Sequence, residues 1–86
     1  MPEISRFYGI VIKMFFNEHQ PPHFHAEYGD TEALIQIDTL AVIAGKLSPR
    51  ALGLVMEWAS LHQNELQNLW QKAKDLQPLF KIDPLP

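Results

Sequence analysis

No cysteine occurs in the chain, which removes disulfide staples, thiolate metal sites and cysteine nucleophiles from consideration. Any metal would have to be held by imidazole and carboxylate groups. Basic residues are in deficit too. The 7 Lys and Arg stand against 10 Asp and Glu, for a formal net charge of −3 and a pI near 5.7, so nucleic acid is not expected to bind through bulk electrostatics. The 4 glycines build no phosphate-cradling loop, and neither a serine-centred nucleophile elbow nor a zinc-protease helix motif is present. No stretch approaches the roughly 18 uninterrupted apolar residues of a membrane span. Met1 to Arg6 lacks the basic-then-apolar pattern of an export signal, so a cytoplasmic protein with no membrane partner is expected.

What is present is a globular composition, 47% hydrophobic and 20% charged over 86 residues, which is enough chain for one core and a single domain over 1–86. Ile10 to Phe16 is β-branched and aromatic and reads as a strand, and the prolines of Asn17 to Pro22 then impose a loop. His23 to Tyr28, Gly29-Asp30 and Thr31 to Ile37 read as a hairpin on a type II′ turn, which needs glycine first. If Tyr28 pairs with Thr31, then Glu27 faces Glu32, His25 faces Leu34 and His23 faces Gln36. Phe24, Ala26, Tyr28, Ala33, Ile35 and Ile37 then form a core face, with His23, His25, Glu27, Glu32 and Gln36 opposite. A short fourth strand, Ala41 to Ala44, is expected after a turn at Asp38 to Leu40.

Ser48-Pro49 announces a helix, with Ser at the N-cap and Pro at the first helical position. Leu52, Val55, Ala59, His62, Leu66, Leu69, Ala73 and Leu76 then follow at steps of three and four up to Pro78. The fold class is therefore α+β: a three- to four-stranded antiparallel meander over 4–45, one long C-terminal helix over about 49–77 packed on the apolar sheet face, and an extended tail over 78–86 that crosses a sheet edge through Phe80 and Ile82. Such a helix would be about 43 Å long, against a radius of gyration of about 12 Å for a globule of this size. Either it breaks between Ser60 and Asn64, or its distal half packs on a second copy or another protein. We expect the second, with Trp58, Leu66, Leu69 and Trp70 as interface residues of a homodimer.

Two stretches, MPEISRFYGIVIKMFFNEHQPPHFHAEYG and SPRALGLVMEWASLHQNELQNLW, resemble a family of short bacterial proteins known as domain of unknown function 4160. Its members lead a strand into a PPHFH segment, a hairpin and a long helix with Trp and His near its middle. The family has no established activity to carry onto residues. The resemblance implies a neighbouring gene for a second short protein, hence a toxin–antitoxin-like module in which this chain binds a protein partner. A glycine-containing turn is expected near Asp38 to Ala41, where this sequence has none.

Chemistry concentrates in His19, His23 and His25, an H-x3-H-x-H pattern. His23 and His25 share a strand face with Glu27. Two imidazoles with a third histidine or a carboxylate make a ligand set for zinc or a similar divalent metal, so His19, His23 and His25 are the expected ligands, and an open position would activate a water. Such a site would lose its metal below about pH 6, because protonated imidazole cannot ligate. Without metal, His23, His25 and Glu27 would serve as acid and base for hydrolysis, with RNA the expected substrate. A polar face with structural histidines, in a non-enzymatic adaptor, is the plainer reading. Glu27 opposite Glu32 is either screened by water and salt or relieved by a positive group, from Lys13, protonated His25, a metal or a partner.

His62 is expected as a half-buried core histidine bonded to backbone or a carboxylate. Arg6, Lys13, Lys46 and Arg50, with Tyr8 and Phe15, would make a modest basic patch for RNA. Pro2, if Met1 is removed, would offer an N-terminal amine like the base of tautomerases, although those chains place a helix between their main strands.

Overall fold

Five strands follow one another before the chain turns helical: β1 (Glu3–Phe7), β2 (Ile10–Lys13), β3 (His23–Tyr28), β4 (Thr31–Gln36) and β5 (Val42–Gly45), then α1 (Pro49–Leu61) and α2 (Gln63–Lys74). They belong to a computed structural model that describes residues 3–86, so Pro2 lies outside the described residues. The sheet order is β1-β2-β3-β4-β5, antiparallel throughout, which is an α+β architecture.

The β3–β4 hairpin has the register read from the sequence, His23 with Gln36 through Tyr28 with Thr31. Gly29 takes φ 60° while Asp30 stays at negative φ, as a type II′ turn requires. The third turn forms without glycine, since Leu40 itself adopts the left-handed region at φ 61°. The strand count is the first correction. β1 pairs with β2 through a two-residue turn in which Tyr8 and Gly9 both have positive φ (51° and 82°), the type I′ pattern. With Tyr where Asn or Asp normally stands, that turn signal is weak, and so Glu3–Phe7 escaped a reading based on turn residues.

The helix is the second correction. It breaks at His62, whose φ of −129° and ψ of 23° leave the helical region, and His62 N–H bonds to Ala59 O instead of continuing the ladder. The longest dimension of the molecule is 33 Å, shorter than one continuous helix would be. Beyond the break, Gln63 Nε2 donates to Ile37 O at 2.9 Å and Gln67 Nε2 donates to Asp38 Oδ1, which ties α2 across the end of β4. Ser48 caps α1 as expected, accepting from Ala51 N–H with Pro49 next to it.

Both helices cover one face of the sheet. Ile10, Ile12, Met14, Phe24, Ala26, Ala33, Ile35 and Ile37 meet Ala51, Val55, Trp58 and Ala59 of α1 and Leu66, Leu69, Trp70 and Ala73 of α2 in one core. Trp58, Leu66, Leu69 and Trp70, expected at an interface, are therefore buried within the chain, because the bend returns α2 to the same sheet. The tail lies along β1 as expected of Ile82: Ile82 N–H bonds to Ile4 O at 2.8 Å, and Trp58 Nε1 donates to Asp83 O at 2.8 Å. Phe80 stays exposed. No helix among the described residues is long and apolar enough to cross a membrane.

Candidate metal centre

His23 and His25, two apart on β3, bring their rings to 5.4 Å between centroids. His23 begins the strand and is only 5% exposed, with its ring 5.3 Å from that of Trp70, so it is not the open polar residue expected from the alternation. His25 is half-buried against the edge of Phe15, at 4.7 Å and 84°. The loop between β2 and β3 turns at Asn17, a residue type that tolerates its φ of 59°, and brings Glu18 to the two rings.

The ring nitrogens decide what these groups can do. His23 Nδ1 is 2.8 Å from Pro21 O, and a carbonyl oxygen only accepts, so Nδ1 carries a hydrogen and in the neutral ring Nε2 bears the lone pair. That Nε2 is buried without a hydrogen-bond partner, 3.4 Å from Glu18 Oε1. His25 Nδ1 lies 3.0 Å from Glu32 Oε2, and its Nε2 contacts Glu18 Oε1. A neutral His25 can donate to only one of these carboxylates and turns a lone pair toward the other. Glu18, His23 and His25 together place three ligand atoms within 4.8 Å of one another.

Around this group the charges pair off. Lys13, directly across from His25 in the β2–β3 register, bonds Glu27 at 3.0 Å. The opposed Glu27 and Glu32 thus each have a base of their own, Lys13 for one and His25 for the other, which offsets a placement that would otherwise destabilise the hairpin. On β1 the Arg6 guanidinium grips Glu3 with two bonds, of 2.8 and 3.1 Å, and holds the Glu3 carboxyl below its ordinary range. Arg6 and Lys13 are therefore both engaged with carboxylates, so these two members of the expected basic patch are not free for a phosphate backbone.

A family model described as "Domain of unknown function (DUF4160)" matches residues 9–71. The chain belongs to this family. No curated protein and no solved structure matches it. The region shared with the DUF4160 model runs from Gly9, before β2, to Gln71 in α2, and so contains Glu18, His23, His25, Glu32 and the helix break.

The structure sorts the expected site residues of this DUF4160 chain as follows. His23 and His25 come together. His19 is exposed and stands outside the group, and Glu18 occupies the place expected for it. Glu27 is committed to Lys13 and is not part of the group either. His62 sits between Trp58, at 5.4 Å, and Glu65, whose Oε1 accepts from its Nδ1 at 2.5 Å, as the half-buried reading expects. Sequence reasoning missed Glu18 and the Pro21 carbonyl. Glu18 adjoins His19 in a loop, and which of two adjacent loop residues points inward depends on the turn at Asn17, which spacing does not reveal.

Proposed function

We propose that this chain is a divalent-metal-binding domain whose ion is held by Glu18, His23 and His25. The observation that carries the reading is the unpaired, buried Nε2 of His23. A proton on His25 Nε2 would settle the contact between His25 and Glu18, yet it would leave His23 Nε2 without a partner, at the cost of burying an acceptor unsatisfied. A metal ion among the three groups satisfies all of them. The 3.4 Å separation of His23 Nε2 and Glu18 Oε1 is the edge expected of a tetrahedron with bonds of about 2.0–2.1 Å. Entry of the ion requires Glu18 to release its direct contact with His25.

Three protein ligands leave a position for water, so hydrolysis is the chemistry such a centre would support. The surrounding face does not favour RNA as the substrate. Glu3, Glu18, Glu27 and Glu32 stand there against Arg6 and Lys13, both already paired, and a polyanion would be repelled. A role in a two-gene, toxin–antitoxin-like module, with a small protein partner or a second copy, rests on the family resemblance. The helix surface first suggested for that contact is spent in the core.

The test is elemental analysis of protein purified without a metal-affinity tag, followed by titration with Co²⁺ or Cu²⁺ while Trp fluorescence is recorded. Near-stoichiometric metal is expected, with quenching of Trp70 because its ring adjoins His23. Both signals should vanish in His23→Gln. Protein that carries no metal, and whose fluorescence ignores the added ion, would end this reading.

A further inference from the structure

Glu32 projects from β4 directly opposite Glu27 of β3, a like-charge pairing that costs a hairpin stability. It is 44% exposed at its side chain and has open water available, yet its carboxylate turns inward to His25 Nδ1 at 3.0 Å. The groups that face His25 are Glu18 from the loop, Glu32 from β4, Lys13 from β2, His23 on the same strand, and the apolar ring of Phe15. Lys13 is held by Glu27, so two carboxylates compete for the hydrogen of a neutral His25, Glu18 at Nε2 and Glu32 at Nδ1, and Glu32 takes it once Nε2 turns to an ion. With Nε2 bound to an ion, each imidazole would carry its hydrogen on Nδ1, where Pro21 O accepts from His23 and Glu32 accepts from His25.

We propose that Glu32 is an outer-sphere positioning residue of the metal centre, acting through His25, and that the pair of imidazoles selects a borderline cation such as zinc or cobalt over calcium and magnesium. The inference rests on the metal-binding reading above. A carboxylate behind a ligating histidine fixes its ring and raises its basicity, and its loss commonly costs about 10- to 100-fold in metal affinity. Two imidazole nitrogens and one carboxylate oxygen suit zinc-like ions. Calcium takes 6–8 oxygens at about 2.3–2.6 Å, and magnesium prefers an octahedral oxygen shell.

The experiment is a Co²⁺ titration of the full chain followed by visible absorption, for the parent protein and for Glu32→Gln, Glu32→Asp and Glu27→Gln. Thermal unfolding of the metal-free proteins reports whether each variant folds. The parent should take one equivalent of Co²⁺ with the intense bands of a tetrahedral site, displaced by Zn²⁺ and unaffected by millimolar Ca²⁺ or Mg²⁺. Glu32→Gln should weaken binding by about 10- to 100-fold and alter the bands. Glu32→Asp should restore part of the loss, because the carboxylate returns on a shorter arm. Glu27→Gln removes the same charge from the same face without touching His25, so it should weaken binding only slightly, as a screened surface charge does.

Equal affinity in Glu32→Gln and the parent would overturn the role of Glu32 while leaving the metal site standing. Equal weakening in Glu27→Gln would overturn it as well, by reducing the effect to general charge. Displacement of Co²⁺ by Ca²⁺ would overturn the selectivity. A parent chain that binds neither Co²⁺ nor Zn²⁺ would remove the metal-binding reading and this inference together. If Glu32→Gln fails to fold, Glu32→Asp carries the test, through its change in bands and affinity.

Discussion

On β3 two interleaved sets of residues do different work. Phe24 and Ala26 point into the helix-covered core and are fully buried, while His25 and Glu27 point to the other face and spend their polar atoms on Glu18, Glu32 and Lys13. Neighbours 3.3 Å apart along the strand thus belong to two systems, one held by area removed from water and one by charge and lone-pair geometry. His23 belongs to both, since Trp70 of the core packs on its ring while its Nε2 faces Glu18. The covered face holds the apolar core and the open face holds the histidine–carboxylate cluster, so changes on each should register in different measurements.

The covered face is most sensitive at Trp58. Its ring touches Phe7 and Phe24, and its indole N–H holds the tail at Asp83. Trp58→Ala should cost about 3–5 kcal/mol, a large part of the stability of so small a domain. Chemical denaturation would show it, and a loss below 1 kcal/mol would mean that the tail and the core are not joined there.

Gly45→Ala should come next. Gly45 has φ 69°, and an added Cβ would lie 2.1 Å from the Glu32 carbonyl oxygen, so β5 must shift away from β4. A loss of about 2–3 kcal/mol is expected from the strained backbone and the clash together. Because the carbonyl it would strike is that of Glu32, this variant should also disturb the His25 contact, which makes it a backbone lesion visible in a metal titration.

His23→Gln sharpens the contrast from the other direction. It should abolish metal uptake while lowering the metal-free unfolding midpoint only modestly, because Gln keeps a donor for Pro21 O and no buried lone pair is left facing Glu18. Equal loss of stability and of metal would merge the two systems into one.

Leu76→Gly tests a position outside both. Leu76 follows α2 at φ 56°, where Gln77 N–H reaches back to Lys72 O, and it is 62% exposed. Glycine removes the left-handed penalty and forfeits little burial, so stability should rise by about 1 kcal/mol with metal binding unchanged.

The smallest effect belongs to Glu3. Its carboxyl is held below the ordinary value by Arg6, so the pair adds stability at neutral pH, and that contribution fades as pH falls through the lowered folded value. In Glu3→Gln the acid limb of the stability curve should flatten slightly, which unfolding midpoints recorded from neutral to acid pH would detect.

The hairpin of β3 and β4 was legible in the sequence down to its register, because Gly29-Asp30 sets the turn and a shift by one residue would exchange the apolar and polar faces. The cap of α1 was equally plain in Ser48-Pro49. β1 was not, for its turn rests on Tyr8 in a conformation that tyrosine seldom takes. The helix break left no mark in the spacing, although the length of the stripe offered a break between Ser60 and Asn64 as one of two alternatives. A one-residue interruption at His62 keeps the spacing of three and four intact, so Val55, Ala59, Leu66, Leu69 and Ala73 read alike with and without it.

By itself, then, the sequence determined the α+β class, the sorting of β3 and β4 into an apolar and a polar face, and the pairing of His23 with His25. These follow from local rules, the period of a strand and the demands of a turn. The tertiary structure alone decided that α2 returns to the sheet and buries the tryptophans, that Glu18 and not His19 meets the histidines, and that Pro21 O and Glu32 lie at the outer nitrogens of the rings. Each of these depends on where a loop or a bend sends a side chain, and that direction is set by contacts between residues far apart in the chain.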